Sequence, residues 1–320
     1  MAENNFSLQK TLTMLLDEKK YHSLRDILST MNPADIAAIF DDLDQACLPL
    51  LFRLLPKELA AETFVEMEPE AQELLIRGFS DSELKEVIDE LYVDDAVDIV
   101  EEMPANVVQR ILSQAEPDMR KQINEILRYP EDSAGSIMTT EYVSLRPNMT
   151  VGEAILRIRR TGIDKETIYT CYVTRGHKLI GLTSVKDLLL CEDDDATIES
   201  IMQEHVITVS TLDDKEQVAQ MFSKYNFLAL PVVDTEDRLV GIVTFDDAMD
   251  VMEDEATEDM EKMAAMLPSE HPYMRSTPIE IWKNRIPWLL LLMVSATLTG
   301  IVITRFENSL AALPCLTAFI

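Results

Sequence analysis

A pattern of about 60 residues occurs twice in tandem in the second half of this chain. The copies begin with Ile-Met at Ile137 and Ile201, and they end with Asp187 and Asp247. Each copy closes on the same motif: glycine, two strand-type residues, a Ser or Thr and, three positions later, Asp. Short β-branched segments that alternate with helical segments predict α/β units. The duplication therefore predicts one small α/β fold used twice.

The two copies resemble CBS domains, regulatory α/β modules that usually pack as a pair. The resemblance rests on the Ile-Met segment, on Pro-Val-Val at Pro231 and on the closing glycine motif. In that family the hydroxyl and the carboxylate of the last motif can hold a ribose, which implies Ser184 and Asp187 in the first copy. The alternative is that the hydroxyl caps the following helix. Because Asp247 in the second copy also opens an acidic helix, we expect a nucleotide at Asp187 only.

The N-terminal third carries a shorter repeat. From Met31 to Leu127 an apolar residue, with one small exception, recurs every 12 positions, and Pro or a polar capping residue usually follows it. Proline in a first turn and apolar steps of three and four both indicate helices. Helices of about ten residues are too short to be stable alone, so we predict a superhelical all-α stack. One helix from Leu8 to Leu28 is expected before the repeat.

A run of acidic residues from Asp246 to Glu261 has no basic residue within it. On a helix, Asp246, Asp250, Asp254 and Glu258 follow one another at i,i+4 steps, where like charges repel by a few tenths of a kcal/mol per pair. Such a helix either presents a solvated face or has cations that cancel its charge.

A second acidic group lies inside the N-terminal repeat. Asp94 and Asp98 share one helical face, with Asp95 beside them. Taken alone, such a triplet is more typical of a helix N-terminus that complements its dipole than of a cation site.

The charge balance restricts the function. There are 28 basic and 58 acidic residues, a net charge of −30, which argues against nucleic-acid binding and against adhesion to anionic lipid. The four Cys and four His are scattered, so a zinc site is not expected and Mg²⁺ or Ca²⁺ bound by oxygen is. The scattered Cys also fit a reducing compartment. We find no nucleophile–base pair and no phosphate-binding glycine loop, so an enzyme is not expected.

An uncharged segment of 18 residues runs from Ile286 to Ile303, with Trp288 at its edge. This length is just enough to span a bilayer, and the alternative is a buried core helix. Lys283 and Arg285 flank its near side, so the positive-inside rule places residues 1–285 in the cytoplasm. The polar N-terminus contains no signal peptide.

We therefore predict a multidomain chain. Its parts are an all-α superhelical domain at 1–130, an α/β CBS pair at 137–199 and 200–248, an acidic connecting helix and linker at 249–278, and a helical membrane region at 279–320. A second apolar run, Ser309 to Ile320, begins another membrane segment, in which the chain ends.

This order of parts is similar to that of the MgtE family of magnesium transporters. The similarity is most specific at Tyr129–Pro147, Gly241–Met260 and Phe306–Pro314. It implies a homodimeric Mg²⁺-selective channel, multi-pass in the inner or plasma membrane, whose cytoplasmic domains bind Mg²⁺ and close the pore. Family members have five transmembrane helices and select the ion in a later one, so this chain would hold the sensor and would not conduct alone.

The resemblance also implies ligands. The metal ligands would be Asp94, Asp95 and Asp98 of the N-domain, Asp214 and Glu216 of the second CBS copy, and Asp247, Asp250, Glu255, Glu258 and Asp259 of the connecting region. ATP, a regulatory ligand in the family, would contact Tyr169, Asp187 and Phe227, in addition to the Ser184 of the motif. Asn226 departs from family members that carry an acid there, which weakens one predicted sensor site.

Two other functions remain open. One is an adenine-nucleotide sensor anchored to a membrane, for which Mg²⁺ only accompanies ATP. The other is a CBS-regulated transporter of a different divalent cation.

Overall fold

The structure, a computed structural model, describes residues 10–16, 18–41, 43–267 and 277–306. The chain divides into two compact units, one up to Ala248 and one from Met249 onward.

The first part of the first unit consists of short helices. Their starts at Lys57, Asp81 and Ala105 are spaced by multiples of the predicted 12 residues, because prolines and caps recur at that interval. Helices two apart in the chain pack together, as Lys57–Val65 does with Asp81–Ile88. The helical fold predicted here is confirmed. The helices are Tyr21–Leu28, Pro33–Asp41, Leu48–Phe52, Lys57–Val65, Pro69–Gly78, Asp81–Ile88, Val93–Glu102, Ala105–Gln114 and Pro117–Ile126.

The stack is held by its apolar side chains. The rings of Phe52, Phe64 and Phe79 contact one another, with the centroids of Phe64 and Phe79 6.0 and 5.4 Å from that of Phe52. Leu24 and Leu75 are fully buried. Because no single helix of this length is stable alone, this shared core stabilises all of them together.

The prediction of one helix from Leu8 to Leu28 was wrong. A helical segment at residues 10–16 is followed by a turn, and a separate helix begins at Tyr21. Lys19 has a left-handed backbone with φ 54°, which ends the first segment. Residues 1–9 lie outside the described range.

The second part of the first unit contains two sheets of the same topology. In the first, β1 (Tyr142–Leu145) pairs parallel with β2 (Thr167–Arg175), which pairs antiparallel with β3 (Lys178–Ser184). In the second, β4 (Val209–Ser210), β5 (Ala229–Val233) and β6 (Leu239–Thr244) repeat this order. The predicted duplication of one α/β fold is confirmed. The helices of this part are Val151–Thr161, Gly162–Asp164 (3₁₀), Val185–Leu190, Ile198–Ile201 and Lys215–Tyr225.

The copies are joined by exchanged backbone segments. Thr139, ahead of β1, makes two backbone hydrogen bonds of 2.8 and 2.9 Å with Ile242 in β6. Gln203, ahead of β4, bonds in the same way to Leu182 in β3. This approach explains the glycine of the closing motif, because a Cβ on Gly241 would lie 2.7 Å from the Thr139 carbonyl oxygen.

The acidic run folds as predicted into one helix, Phe245–Met263, which we call the acidic helix. The second unit contains this helix from Met249 onward and the helix Pro278–Arg305. From Ile281 onward this helix is long and apolar enough to cross a membrane, and it is the one such helix among the described residues. Its apolar window is not buried by any described residue, as a membrane-spanning helix would require. The second predicted segment, Ser309–Ile320, lies outside the described residues.

A buried carboxylate cluster as candidate metal site

The helix Val93–Glu102 presents carboxylates on the edge of its apolar face. Ala96, Val97 and Val100 are buried in the helical stack. Asp94 lies one turn before Val97 and Asp98, and its side chain is only 6% exposed. An acidic first turn complements the helix dipole, but that role does not require burial.

Two further carboxylates come from the first sheet. Glu141 and Glu166 directly precede β1 and β2, and these strands are parallel neighbours in which Tyr142 is paired with Thr167. The two acids therefore lie side by side, and the Glu166 N–H donates to the Glu141 carbonyl at 3.0 Å. The N–H of Val93 donates to Glu141 Oε2 at 3.2 Å, which connects the helix to the sheet.

Carboxylate oxygens of Asp94, Glu141 and Glu166 all lie within 4.8 Å of one another. Asp94 Oδ1 and Glu166 Oε2 are buried and accept no hydrogen bond from any described residue. A buried acceptor without a partner costs about 1–3 kcal/mol, and more when it is charged. A cation bound between these two oxygens would satisfy both of them.

Asp247 adds a carboxylate from the other copy. It follows β6, the strand that is hydrogen-bonded to Thr139. Its Oδ2 accepts bonds from the Thr244 hydroxyl and the Thr244 N–H, and it lies close enough to Asp94 for their charges to interact. We use "acidic cluster" for Asp94, Asp95, Asp98, Glu141, Glu166, Asp246 and Asp247.

The acidic cluster resists ionisation. Burial, and then the charges of Asp247 and Asp246, raise the pKa of Asp95 to about 7. Burial, followed by Asp94 and Asp95, raises the pKa of Glu166 to about 9. The pKa values of Asp94 and Asp247 are raised by burial and then by Asp95 and Asp94, respectively. Each proton held in this way is one that a cation can replace.

The pKa of Asp98 shifts in the same direction. Loss of hydration raises it first, followed by repulsion from Asp247 and Asp94. Its side chain is nevertheless exposed, so solvent screens this group more than the others.

The donor set suits a hard cation. Every candidate ligand in the acidic cluster is a carboxylate oxygen, and none is a His or Cys. Mg²⁺ prefers such oxygens and usually keeps several waters, whereas zinc sites use nitrogen and sulfur. The residues present therefore fit Mg²⁺.

The structure brings together only some of the predicted metal ligands. Asp94, Asp95, Asp98 and Asp247 belong to the acidic cluster. Asp214 instead caps the helix Lys215–Tyr225, where its Oδ1 accepts from the Gln217 N–H at 3.2 Å. Glu216 accepts from Gln220 Nε2 at 3.0 Å. The carboxylates of both thus serve local helix bonds, and a metal at Asp214 and Glu216 stays a prediction.

The remaining predicted ligands, Asp250, Glu255, Glu258 and Asp259, belong to the second unit. Glu258 forms an ion pair of 2.6 Å with Lys262. Metal binding by these four residues also stays a prediction.

Asn226, noted above as a departure from the family pattern, ends a helix. It has a left-handed backbone, φ 55° and ψ 45°, and its N–H donates to the Phe222 carbonyl. Asn adopts this conformation more readily than most residues, which gives a structural reason for its presence.

The predicted nucleotide residues lie at one end of the first sheet. Ser184 pairs with Thr170, next to the 67% exposed Tyr169. Ser184 also caps the helix Val185–Leu190, since its Oγ accepts from the Asp187 N–H at 3.0 Å and donates to Asp187 Oδ2 at 2.6 Å. Capping therefore occurs in this copy, and the Thr244 hydroxyl bonds Asp247 similarly.

Phe227, the other predicted nucleotide contact, stacks on Tyr225 with centroids 5.4 Å apart. Nucleotide binding by these residues stays a prediction.

Sequence reasoning missed Glu141 and Glu166. A weak signal existed for Glu141. It follows the Ile-Met pair of the first copy at the position where the second copy has His205. Glu166 had no local signal, since its position follows from pairing between strands 25 residues apart in sequence.

The chain matches known families along most of its length. Residues 31–132 match the MgtE intracellular N domain, and residues 134–192 and 198–254 match the CBS domain. The magnesium transporter MgtE of Thermus thermophilus is 36% identical over 318 residues, which is 98% of this chain and 70% of that protein. MgtE of Bacillus subtilis is 30% identical and matches 96% of this chain and 68% of its own length.

Solved structures agree with this match. The cytosolic domain of the Mg²⁺ channel MgtE in complex with ATP superposes with a TM-score of 0.72 at 38% identity, over 76% of this chain and 99% of that one. The soluble part of a magnesium transporter also superposes with a TM-score of 0.72, at 33% identity, over 80% of this chain and 100% of that one. The relatives that match nearly the whole chain are transporters, not enzymes.

Proposed function

This chain belongs to the MgtE family of magnesium transporters, and from that premise we propose that it is part of a Mg²⁺ channel that closes when its own acidic domains bind Mg²⁺. The observation that supports this most strongly is the pair of buried, unpartnered oxygens on Asp94 and Glu166. They belong to different domains of the family, the N domain and the first CBS domain. A cation between them would therefore hold these two domains together.

The mechanism follows from repulsion between carboxylates. Without a cation, the acids on the helix Val93–Glu102 repel Glu141, Glu166 and Asp247. The docked arrangement, in which the N domain contacts the CBS pair through these acids, then persists only if some of the carboxyls stay protonated; otherwise the two domains separate. Mg²⁺ replaces the protons and favours the docked arrangement. An ion shifts such an equilibrium only by its different affinity for the two states. Wet sites with many carboxylates give the weak affinity that sensing of millimolar Mg²⁺ requires.

The membrane assignment rests on the apolar helix Pro278–Arg305. We propose that it crosses the inner or plasma membrane as part of a multi-pass protein with residues 1–285 in the cytoplasm. We also propose that two copies form a homodimer, as the family resemblance implies. Exposed Leu212 and Leu228 are apolar side chains that such an interface would cover.

The proposed regulatory ligand is ATP, because a relative's cytosolic domain forms a complex with it. Tyr169, Ser184 and Asp187 lie together at an exposed end of the first sheet. Asp187 Oδ2 already accepts from Ser184, and a carboxylate has further lone pairs for ribose hydroxyls.

We expect Mg²⁺ to protect the protein from proteolysis at the link between the N domain and the CBS pair. The test is limited proteolysis of the whole chain in detergent, with EDTA and then with rising Mg²⁺ into the millimolar range, together with calorimetric titration. Protection by Mg²⁺ in the absence of ATP supports the channel sensor. A cleavage pattern that responds only to ATP would instead favour the nucleotide-sensing regulator, and protection by Ca²⁺ alone would favour a transporter of another cation.

A separate prediction concerns the nucleotide site. Asp187→Asn keeps a capping oxygen but removes the charge that binds ribose hydroxyls, so we expect ATP binding to weaken about tenfold. Mg²⁺-dependent protection should stay unchanged, because Asp187 is not in the acidic cluster. The matched control is Asp118→Asn, an exposed carboxylate in another first helical turn. ATP affinity equal to that of the unsubstituted protein would show that the site lies elsewhere.

A further inference from the structure

A cationic cleft lies at the far end of the first sheet from Asp187. Its volume is about 770 Å³, within the range of small-ligand sites. Asp187 follows the C-terminal end of β3, whereas the cleft surrounds the turn that precedes β3 at Gly176 and His177. Since β3 has seven residues, these ends are about 20 Å apart. The cleft is therefore separate from the proposed nucleotide site.

Three arginines line this cleft in a protein of net charge −30. Arg175 forms an ion pair of 2.9 Å with Glu199, which also lines the cleft. The guanidinium groups of Arg146 and Arg157 pair with no carboxylate among the described residues. Two unpaired arginines are unexpected where acidic side chains outnumber basic ones two to one.

Two acids near this turn, Asp234 and Asp237, do not compensate this charge, because they are paired with other cations. Asp237 pairs with Lys178 at 2.9 Å, and Asp234 pairs with Arg238 at 2.8 Å. His177, in the cleft wall, adds a further ring nitrogen. The remaining wall offers the hydroxyls of Ser144 and Thr174, 3.0 Å apart, beside the apolar Leu239.

The second copy shows that the fold does not require this charge. The groove at the equivalent place, lined by Val206, Thr208 and Val233, has a volume of only about 150 Å³. From the strand and helix register, the counterparts of Arg146 and Arg157 are Ser210 and Met221. The one lysine there, Lys178, is already paired with Asp237. The arginines are thus a specific feature of the first copy.

We infer that this cleft binds a small ligand carrying two or more phosphate groups. Arginine binds phosphate oxygens through paired N–H donors, and two or three guanidinium groups around one cleft match a polyphosphate rather than a single carboxylate. Free inorganic polyphosphate and the phosphate tail of a nucleotide share this chemistry.

The test uses calorimetry of the whole chain in detergent, free of Mg²⁺, with inorganic triphosphate as the probe. Arg146→Gln with Arg157→Gln should weaken triphosphate binding about tenfold or more. The matched control is Arg159→Gln with Arg160→Gln, which removes equal charge from the same helix at residues that do not line the cleft. Asp187→Asn should leave triphosphate binding intact.

A second variant, Arg146→Ser with Arg157→Met, copies the residues of the second copy and guards against misfolding of the first variant. If the control variant, Arg159→Gln with Arg160→Gln, weakens triphosphate binding equally, the binding is a general charge attraction and the inference is overturned. Absence of saturable binding, or loss only in Asp187→Asn, would overturn it as well. ATP as a second probe distinguishes inorganic polyphosphate from a nucleotide. If the cleft binds ATP and triphosphate with equal affinity, the phosphates are the recognised group. If it binds ATP more tightly, and this binding depends on Arg146 and Arg157, the ligand is a nucleotide.

Discussion

Asp94→Asn combined with Glu166→Gln is expected to stabilise the protein in EDTA and to remove most of its stabilisation by Mg²⁺. The two carboxyls are held protonated or repelled in the folded state, and about 1.4 kcal/mol accompanies each unit by which a pKa is raised. Replacing them with neutral amides of similar shape should therefore increase the free energy of unfolding by about 2–4 kcal/mol near neutral pH. The same change removes two ligands, so Mg²⁺ loses its preference for the docked state.

Differential scanning calorimetry with and without Mg²⁺ measures both effects. For a unit of this size the gain corresponds to a rise of about 5–10 °C in Tm. The matched control, Glu58→Gln with Asp118→Asn, removes equal charge from exposed first turns of two other helices. A variant that is destabilised in EDTA and still responds to Mg²⁺ as the unsubstituted protein does would show that the acidic cluster is not the cation site.

The parts that the sequence predicted well depend on local chemistry. The helix starts at Lys57, Asp81 and Ala105 follow Pro56, Ser80 and Pro104, and each of these signals acts within one helical turn. The closing glycines were visible as a motif, although their reason, the close approach of the Thr139 backbone, appears only in the structure.

The parts that it missed depend on contacts between distant residues or on unfavourable backbone. Lys19 adopts a left-handed conformation that lysine rarely takes, so nothing predicted the helix break there. Glu141 and Glu166 meet because β1 and β2 are parallel neighbours, a pairing that no local pattern specifies. The acidic cluster could therefore be predicted as a set of N-domain and connecting-helix acids, but not as a site completed by the first CBS copy.

The cationic cleft with Arg146 and Arg157 was not predicted from the sequence, for a related reason. The two residues are 11 positions apart, on a loop and on a helix, and they are brought together only by the packing of that helix against the sheet. Their separation in sequence and the overall acidic composition both conceal a local excess of positive charge. Comparison between the two copies, which the alignment of motifs already allowed, is the step that would have exposed it.

Raising the pH from 5 to 8 in EDTA is expected to lower the thermal stability of the protein, and Mg²⁺ should oppose this effect. The carboxyls of Asp95 and Glu166 have pKa values of about 7 and about 9 in the folded state, above the usual 3.9 and 4.3 of unfolded chains. At a pH between the pKa of such a carboxyl in the unfolded state and its higher pKa in the folded state, the folded state binds more protons than the unfolded state. Stability therefore falls as pH rises, by about 1.4 kcal/mol per pH unit for each extra proton.

Carboxyls with lowered pKa values make stability rise with pH instead of fall, but they do so in a lower pH range. The ion pair with Arg53 lowers the pKa of Glu83 to about 2, so its contribution is lost as pH falls from about 4.5 towards 2 and is already complete at pH 5. The acidic cluster should consequently dominate above pH 5. Because Mg²⁺ competes with protons for the same oxygens, its affinity should rise with pH over this window.

Calorimetry at pH 5, 6, 7 and 8, in EDTA and in Mg²⁺, tests this expectation. The Tm of the unsubstituted protein should decline with pH in EDTA, and the curves with and without Mg²⁺ should diverge as pH rises. In Asp94→Asn with Glu166→Gln, the decline of Tm with pH and the pH-dependent effect of Mg²⁺ should both become smaller. The two substitutions remove titrating carboxyls that are also the proposed Mg²⁺ ligands. A Tm in EDTA that stays constant or rises from pH 5 to 8 would mean that the carboxylates of the acidic cluster ionise freely in the folded protein, and repulsion between them could then not drive the N domain from the CBS pair.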